Sequence, residues 1–393
     1  MMMLSKYKWR IVTMLVVFLT LSAALALAGR RTSKTESFKV KKGGELVVRA
    51  ENVGADIEIR VWTRSEVKVE VDGIPEEDIE DLEISASGNT VHVDYYGRRG
   101  WHRSGHILIS VDVPPEFSLD LQTSGGDIEV NDRLSGTVKA ATAGGDIEID
   151  QVDGEVSLRT SGGDITARDV LGNAEFQTSG GDIDVGDVKG KLSAHTSGGD
   201  ITVGAVENDL DAKTAGGDIE VGDVGGYADV STAGGDVRLG EVSGTADLRT
   251  AGGDIELLSA SGRVTARTAG GDIVLENISG SIEAETAGGD IVVQLVPAGN
   301  RDSRFETAGG DIELYLPEKA KANILAKIRI HGGWGWDDDE EGDFDVYSDF
   351  KAAKHERNRR GVLAEYVLNG GGANISLKTT NGDIEIRRLS GRY

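Results

Sequence analysis

The chain has 393 residues, 55 glycines, five prolines, no cysteine and a formal charge of −25. So strong a negative charge repels nucleic acid and anionic headgroups, which argues against a nucleic-acid partner. Without cysteine there can be no disulfide and no lipid-modified N-terminal cysteine, and with 5% aromatics a large core built on Phe and Trp is not expected.

At the N-terminus, Lys6, Lys8 and Arg10 precede the apolar run Ile11–Ala28, which ends in Ala26-Leu27-Ala28. A charged start, an apolar stretch and an A-x-A site have the layout of a secretory signal, so residues 1–28 are read as a signal peptide. The alternative is a retained anchor, since an apolar run of this length can just span a bilayer. The remainder is therefore expected to be exported to the periplasm, the cell surface or the medium. Any membrane contact would pass through the N-terminal segment alone.

Residues 29–120 are expected to form a β-rich N-terminal cap. The segments ELVVRAENVGADIEIRVW, EVKVEVDG and HILISVDVPPEFSLDL alternate apolar and polar residues, as half-buried strands do. Gly54-Ala55-Asp56-Ile57 reads as a degenerate copy of the motif that follows.

From 121 to 316 the chain repeats. Asp127, Asp146, Asp164, Asp182, Asp200, Asp218, Asp236, Asp254, Asp272, Asp290 and Asp311 each follow a Gly-Gly pair, and from Asp146 to Asp290 the spacing is always 18. A fixed period of this length marks a solenoid and outranks any local motif. Counted from each Asp, apolar residues fall at offsets 1 and 3, at 6, and at 10 and 12, as in Ile147, Ile149, Val152, Val156 and Leu158. That alternation predicts two short strands per unit. Offset 8 is glycine (Gly154, Gly172, Gly190 and so on) except at Asn208, which predicts a left-handed turn there. Stacked in register at ~4.8 Å, these units give a parallel two-sheet β-solenoid of about eleven coils, a rod on the order of 50 Å long. An antiparallel meander or a propeller is the runner-up, but propeller blades need about 40 residues.

Residues 317–393 are expected to form a C-terminal cap carrying an acidic and aromatic insertion, WGWDDDEEGDFD. ISLKTTNGDIEI then returns to the repeat, with Asn381-Gly382 in place of Gly-Gly. Caps protect open strand edges, so a monomer is expected rather than a filament.

The T-[SA]-G-G-D-I repeats, the lead-in VPPEFSLDLQTSGGDIEV and the closing ISLKTTNGDIEI resemble a bacterial family of unknown function labelled "putative adhesin", with β-strand repeats, over residues 40–390. The resemblance implies an exported or envelope-associated parallel β-solenoid. It brings no catalytic or binding residues with it.

Gly-Gly-Asp is not a phosphate loop, because a strand follows it rather than a helix and no lysine is near. The column Asp146, Asp164, Asp182, Asp200, Asp218, Asp236, Asp254, Asp272 and Asp290 places like charges ~4.8 Å apart and needs compensation. Backbone N–H groups of each residue's own turn are the expected source, with calcium as the alternative and no other cofactor. The Thr residues at offset 14, such as Thr160 and Thr178, share parity with the buried positions. They are expected to face inward, not to form the outward ranks of an ice binder. His102 and His106 lack a third ligand for a metal site. Evenly spread carboxylates argue against an enzyme, since a catalytic pair would be singled out by its surroundings. Two irregular segments are candidate partner contacts: Tyr95, Tyr96, Arg98, Arg99 and Trp101 on a basic aromatic tip, and Trp334 with Trp336 in the acidic insertion. The leading reading is a non-enzymatic envelope scaffold or adhesion module, binding an envelope protein or a glycan. The alternatives are a carbohydrate-active or glycan-binding β-helix and a calcium-stabilised repeat protein.

Overall fold

The computed structural model describes residues 31–97, 106–297, 299, 301–331 and 343–389. The repeat alternation becomes backbone pairing directly. Strands that follow the Asp, such as Ile147–Ile149, Ile165–Ala167 and Ile183–Val185, pair in parallel in a first sheet of 17 strands. Strands that precede the Thr, such as Val156–Arg159, Ala174–Gln177 and Leu192–His195, pair in parallel in a second sheet. The register is one full period: Ile147 lies beside Ile165, and Val156 beside Ala174. The chain is a parallel β-solenoid.

Offset 6 adds a feature beyond the two sheets. Val152, Val170, Val188, Val206, Val224 and Val242 are bridged one to the next, making a third, narrow ladder at the far corner. In Val237–Val242, Ile255–Ala260 and Ile273–Ile278 the first strand runs on to absorb that position.

The core between the sheets is thin and evenly filled. Ile147, Ile165, Ile183, Ile201 and Ile219 are all within 1% of complete burial. Offsets 10 and 12 exchange volume in many coils: Ala174 with Phe176, Leu192 with Ala194, Ala246 with Leu248, Ile282 with Ala284. A large side chain beside a small one keeps the volume of such rungs similar, which suits stacking at constant spacing. Each buried Ile, Val or Leu contributes roughly 1.5–3 kcal/mol.

The expected left-handed turn at offset 8 is not what the glycines provide. None of Gly154, Gly172, Gly190, Asn208, Gly226 or Gly244 has positive φ. The reason is close approach: a Cβ on Gly154 would lie 2.1 Å from the carbonyl oxygen of Gly136 in the coil before. At Asn208 the side-chain amide instead donates to the carbonyl of Lys189, at 3.0 Å.

At both ends the order of coils in space departs from their order in sequence. The coil built from Gly44–Glu51 and Ala55–Val61 is inserted between that of Thr90–Tyr96 and Ile107–Val113 and that of Phe117–Thr123 and Ile128–Asn131. At the far end, Ala373–Thr380 and Ile384–Arg388 slot between Ser303–Glu306 with Ile312–Leu316 and Ala322–Arg329 with Val346–Ser348. Antiparallel strands close the edges: Glu66–Pro75, Arg31–Lys39 and Leu82–Ser87 at one end, Gly361–Leu368 and Lys354–Asn358 at the other. The last of these, KHERN, is exposed along its whole length, and such charged edge strands resist pairing with other chains.

Candidate functional site

The Thr-x-Gly-Gly-Asp corner is the most repeated chemistry in the molecule. Each Asp Oδ1 accepts a hydrogen bond from the backbone N–H of the Asp in the next coil. Asp164 donates to Asp146 at 2.8 Å, Asp182 to Asp164 at 2.8 Å, and so on to Asp290 on Asp272 at 2.7 Å. The ladder begins at Asp56, which accepts from Asp127 at 3.0 Å, and reaches Asp383 and then Asp345 at the far end. The expectation that each carboxylate is satisfied within its own turn is thus corrected: the donor belongs to the neighbouring coil. Parallel stacking aims that amide at the carboxylate one period back. A hydrogen bond to a charged acceptor contributes about 1.5–3 kcal/mol, less where water competes.

Behind each Asp, the Thr faces inward, as its parity predicts. Thr160 is 2% exposed; its Oγ1 donates to the Gly145 carbonyl at 2.9 Å and accepts from the Gly163 N–H at 3.4 Å. The second glycine of each pair makes room for this contact, since a Cβ on Gly217 would sit 2.2 Å from the Gly199 carbonyl. Thr, Gly and Asp together form one interlock, repeated coil upon coil. Other corners use the same device: Asp187 donates to Asp169, Lys191 to Asn173 and Tyr227 to Asp209, each through its backbone N–H. Among the described residues, no group of three or more His, Cys, Asp or Glu is arranged to hold a metal ion.

The outer face of the second sheet carries an ion-pair lattice. Lys213 reaches Asp211 at 2.6 Å and Asp229 at 3.3 Å, and Arg249 joins Asp229 at 3.4 Å and also Asp247. Further along, Arg267 meets Glu283 at 2.7 Å and Glu285 at 3.3 Å. Burial works against the Asp211 carboxylate, yet Lys213 and His195 outweigh it and hold its pKa below the ordinary value. The hydrogen bond from Lys213 to Asp211 in turn raises the lysine. Partly exposed pairs of this kind contribute up to about 1 kcal/mol each.

Of the expected partner contacts, Tyr95 is corrected. In Thr90–Tyr96 it shares the inward face with Val91 and Val93 and is 1% exposed, so it packs in the core. Tyr96, of opposite parity, is 51% exposed. Arg98, Arg99, Trp101, His102, Trp334 and Trp336 lie outside the described residues. His106 is exposed, with Nδ1 3.1 Å from an Asp56 carboxylate oxygen. At the end of the acidic insertion, Arg357 holds Asp343 at 3.0 Å and Asp345 at 3.4 Å, and His355 Nε2 lies 2.9 Å from Asp345.

Sequence reasoning missed a hollow on the outer face of the second sheet near its C-terminal end. It has a volume of about 900 Å³, with the exposed apolar side chains Leu325 and Val367 among its walls. The signal was present, because ANILAKIR places Leu325 on the parity of Asn323 and Lys327 rather than of Ile324 and Ala326. No described helix is long and apolar enough to cross a membrane.

None of the curated proteins matches the chain in sequence. Among solved structures, it is similar to a "putative adhesin" from Bacteroides fragilis NCTC 9343, at 14% identity over 91% of this chain and 97% of that one, with a TM-score of 0.23. A "putative adhesin" from Parabacteroides distasonis ATCC 8503 has 15% identity over 64% and 96%, with a TM-score of 0.29. A "putative cell adhesion protein" from Clostridium sporogenes ATCC 15579 has 9% identity over 91% and 100%, with a TM-score of 0.16. The family model described as Toastrack DUF4097 matches residues 44–223, 198–331 and 231–387, nearly the whole of the repeats and both ends. The chain belongs to the Toastrack DUF4097 family.

Proposed function

We propose that this protein is a non-enzymatic, exported scaffold or adhesion module of the cell envelope. The observation that carries the reading is the engagement of the repeated corner: the Asp and Thr columns hold coil to coil, so the most abundant polar chemistry serves the rod itself. A rigid rod with an ion-paired face suits the display of surfaces at a distance from a membrane. Export rests on the leader-like run Ile11–Ala28.

The test is fractionation of cells producing the full chain, with sequencing of the mature N-terminus, followed by an adhesion assay against a deletion strain. Recovery outside the cytoplasm with altered adhesion supports the proposal. Recovery in the cytoplasm, or turnover of a glycan by the purified protein, overturns it.

A further inference from the structure

The hollow near the C-terminal end gives the module a ligand class. Resting on the envelope-adhesion reading above, we propose that the outer face of the second sheet, across the strands Ser303–Glu306, Ala373–Thr380, Ala322–Arg329 and Gly361–Leu368, is a groove that binds an extended, carboxylate-bearing polysaccharide.

The register builds the groove row by row. Arg304, Ser376, Leu325 and Glu365 lie side by side across the four strands, and Glu306, Lys378, Lys327 and Leu363 form the next row. Two hollows of about 900 and 300 Å³ lie on either side of Arg304, which lines both. With the neighbouring coil the groove crosses five strands, about 20 Å at the usual strand spacing.

Charge distinguishes this surface from the rest of the face. In the middle coils cations such as Lys213 and Arg249 are matched along or across strands. Here Lys378 and Arg304 are both served by the single carboxylate of Glu306. Lys327 and Arg329 point outward on the same strand, and among the described residues no carboxylate lies within ion-pair distance of either. The larger hollow is balanced, with Arg263, Arg301 and Arg304 against Glu283, Asp302 and Glu365, whereas the smaller sets Arg304, Lys327, Arg329 and Lys378 against Glu306 alone, a local reversal of sign on a chain of −25. It attracts an anionic ligand and orients it along the cluster.

The remaining side chains choose among anions. This is the face of a sheet, not an edge, so no unpaired backbone row is offered to a peptide strand. Among the described residues, the lining of the groove holds no exposed aromatic on which bases could stack; Tyr366 is 3% exposed. Asn323 donates to the Gly372 carbonyl and to Asn374 Oδ1, and Asn374 to Asp302, which leaves the Asn323 amide oxygen to accept and the Ser376 hydroxyl to donate or accept, as sugar hydroxyls require. Leu325 and Val367, 42% and 57% exposed, supply apolar contact for the C–H faces of sugar rings. Lys327 and Arg329 are placed to meet the carboxylates.

The test uses the full chain and fluorescent polygalacturonate oligomers, with neutral dextran and single-stranded DNA as comparison probes. The expected result is saturable binding of polygalacturonate that weakens as salt rises, with little binding of dextran. The double variant Lys327→Glu/Arg329→Glu should bind roughly tenfold more weakly or worse, since two outward cations are reversed. Circular dichroism of that variant checks that the solenoid is intact, and Leu325→Asn should weaken binding without altering the charge of the groove. Absence of binding, binding unchanged in the folded double variant, or tighter binding of DNA overturns the assignment. Cleavage of the bound oligomer would retain the groove while overturning the non-enzymatic reading. Failure to bind by a protein still found in the envelope would do the reverse.

Discussion

The middle of the rod and its two ends are made of the same coil but are put together differently. In the repeats, the coil next in sequence is the coil next in space, and every contact spans one period: Ile165 pairs with Ile183 and Leu192 with Leu210. At the ends the order is permuted. Ser303 pairs with Ile375 and Leu46 with Leu119, each more than 70 residues away. A stack assembled purely in order exposes its first and last coils, which can peel off one at a time. Here the coil nearest each chain end is held on both sides, and the outermost coil is tethered by chain that runs back beneath it. Local stacking makes the rod extensible, while long-range insertion fixes where it stops.

The largest expected effect comes from breaking that contrast. Removing residues 196–213, one whole period from the middle, rejoins the coils in register and should leave a folded, slightly shorter rod. Removing residues 373–389 withdraws a coil from between two others and strips both faces of their partners. That truncation should lose cooperative melting and aggregate, as read by circular dichroism and sedimentation. Equal tolerance of both deletions would show that the permuted end adds nothing.

A smaller effect separates the two glycines of one corner. Gly217→Ala places a methyl 2.2 Å from the Gly199 carbonyl, whereas Gly216→Ala leaves 3.0 Å to that of Gly198. Chemical denaturation should show a loss of about 2–3 kcal/mol for the first and clearly less for the second.

Acid should erode the ion-paired face in a defined direction. Burial tends to raise Glu283 and Glu306, but their Arg and Lys partners win and hold both pKa values low, as at Asp211. Groups depressed on folding contribute stability that is complete above the unfolded carboxylate value, about 4, and lost as pH falls through the folded one. Asp72 opposes this, because burial and then Glu70 raise its pKa. The midpoint of thermal melting should therefore fall progressively below about pH 4 and be flat between pH 6 and 8. The smallest expected difference is between calcium and EDTA. With Oδ1 of each column Asp already accepting an amide, melting temperatures in the two should coincide, and a marked rise in calcium would restore the cation-bound column.

The period of 18 made the two sheets, their register and the inward Thr column legible, because offsets 1, 3, 10, 12 and 14 carry their parity openly. Tyr95 was equally legible, from its alternation with Val91 and Val93 in TVHVDYY, but the neighbouring arginines drew it into a surface reading. Other features leave no local trace. Gly154 looks the same in sequence whether glycine serves φ or close approach. The insertion of residues 44–61 between later coils is not encoded in any alternation, since a strand pattern states which face is buried and not which strand lies beside it. Only Asp56, standing where a corner belongs, hinted at it.

The central claim is that the Asp column joins one coil to the next rather than serving a ligand or its own turn. Amide hydrogen exchange in Asp200→Ala tests it most directly. The account predicts that the Asp218 amide, which donates to Asp200, loses protection while the Asp200 position, bonded back to Asp182, keeps it. Protection retained at Asp218 and lost within the turn around position 200 would contradict it.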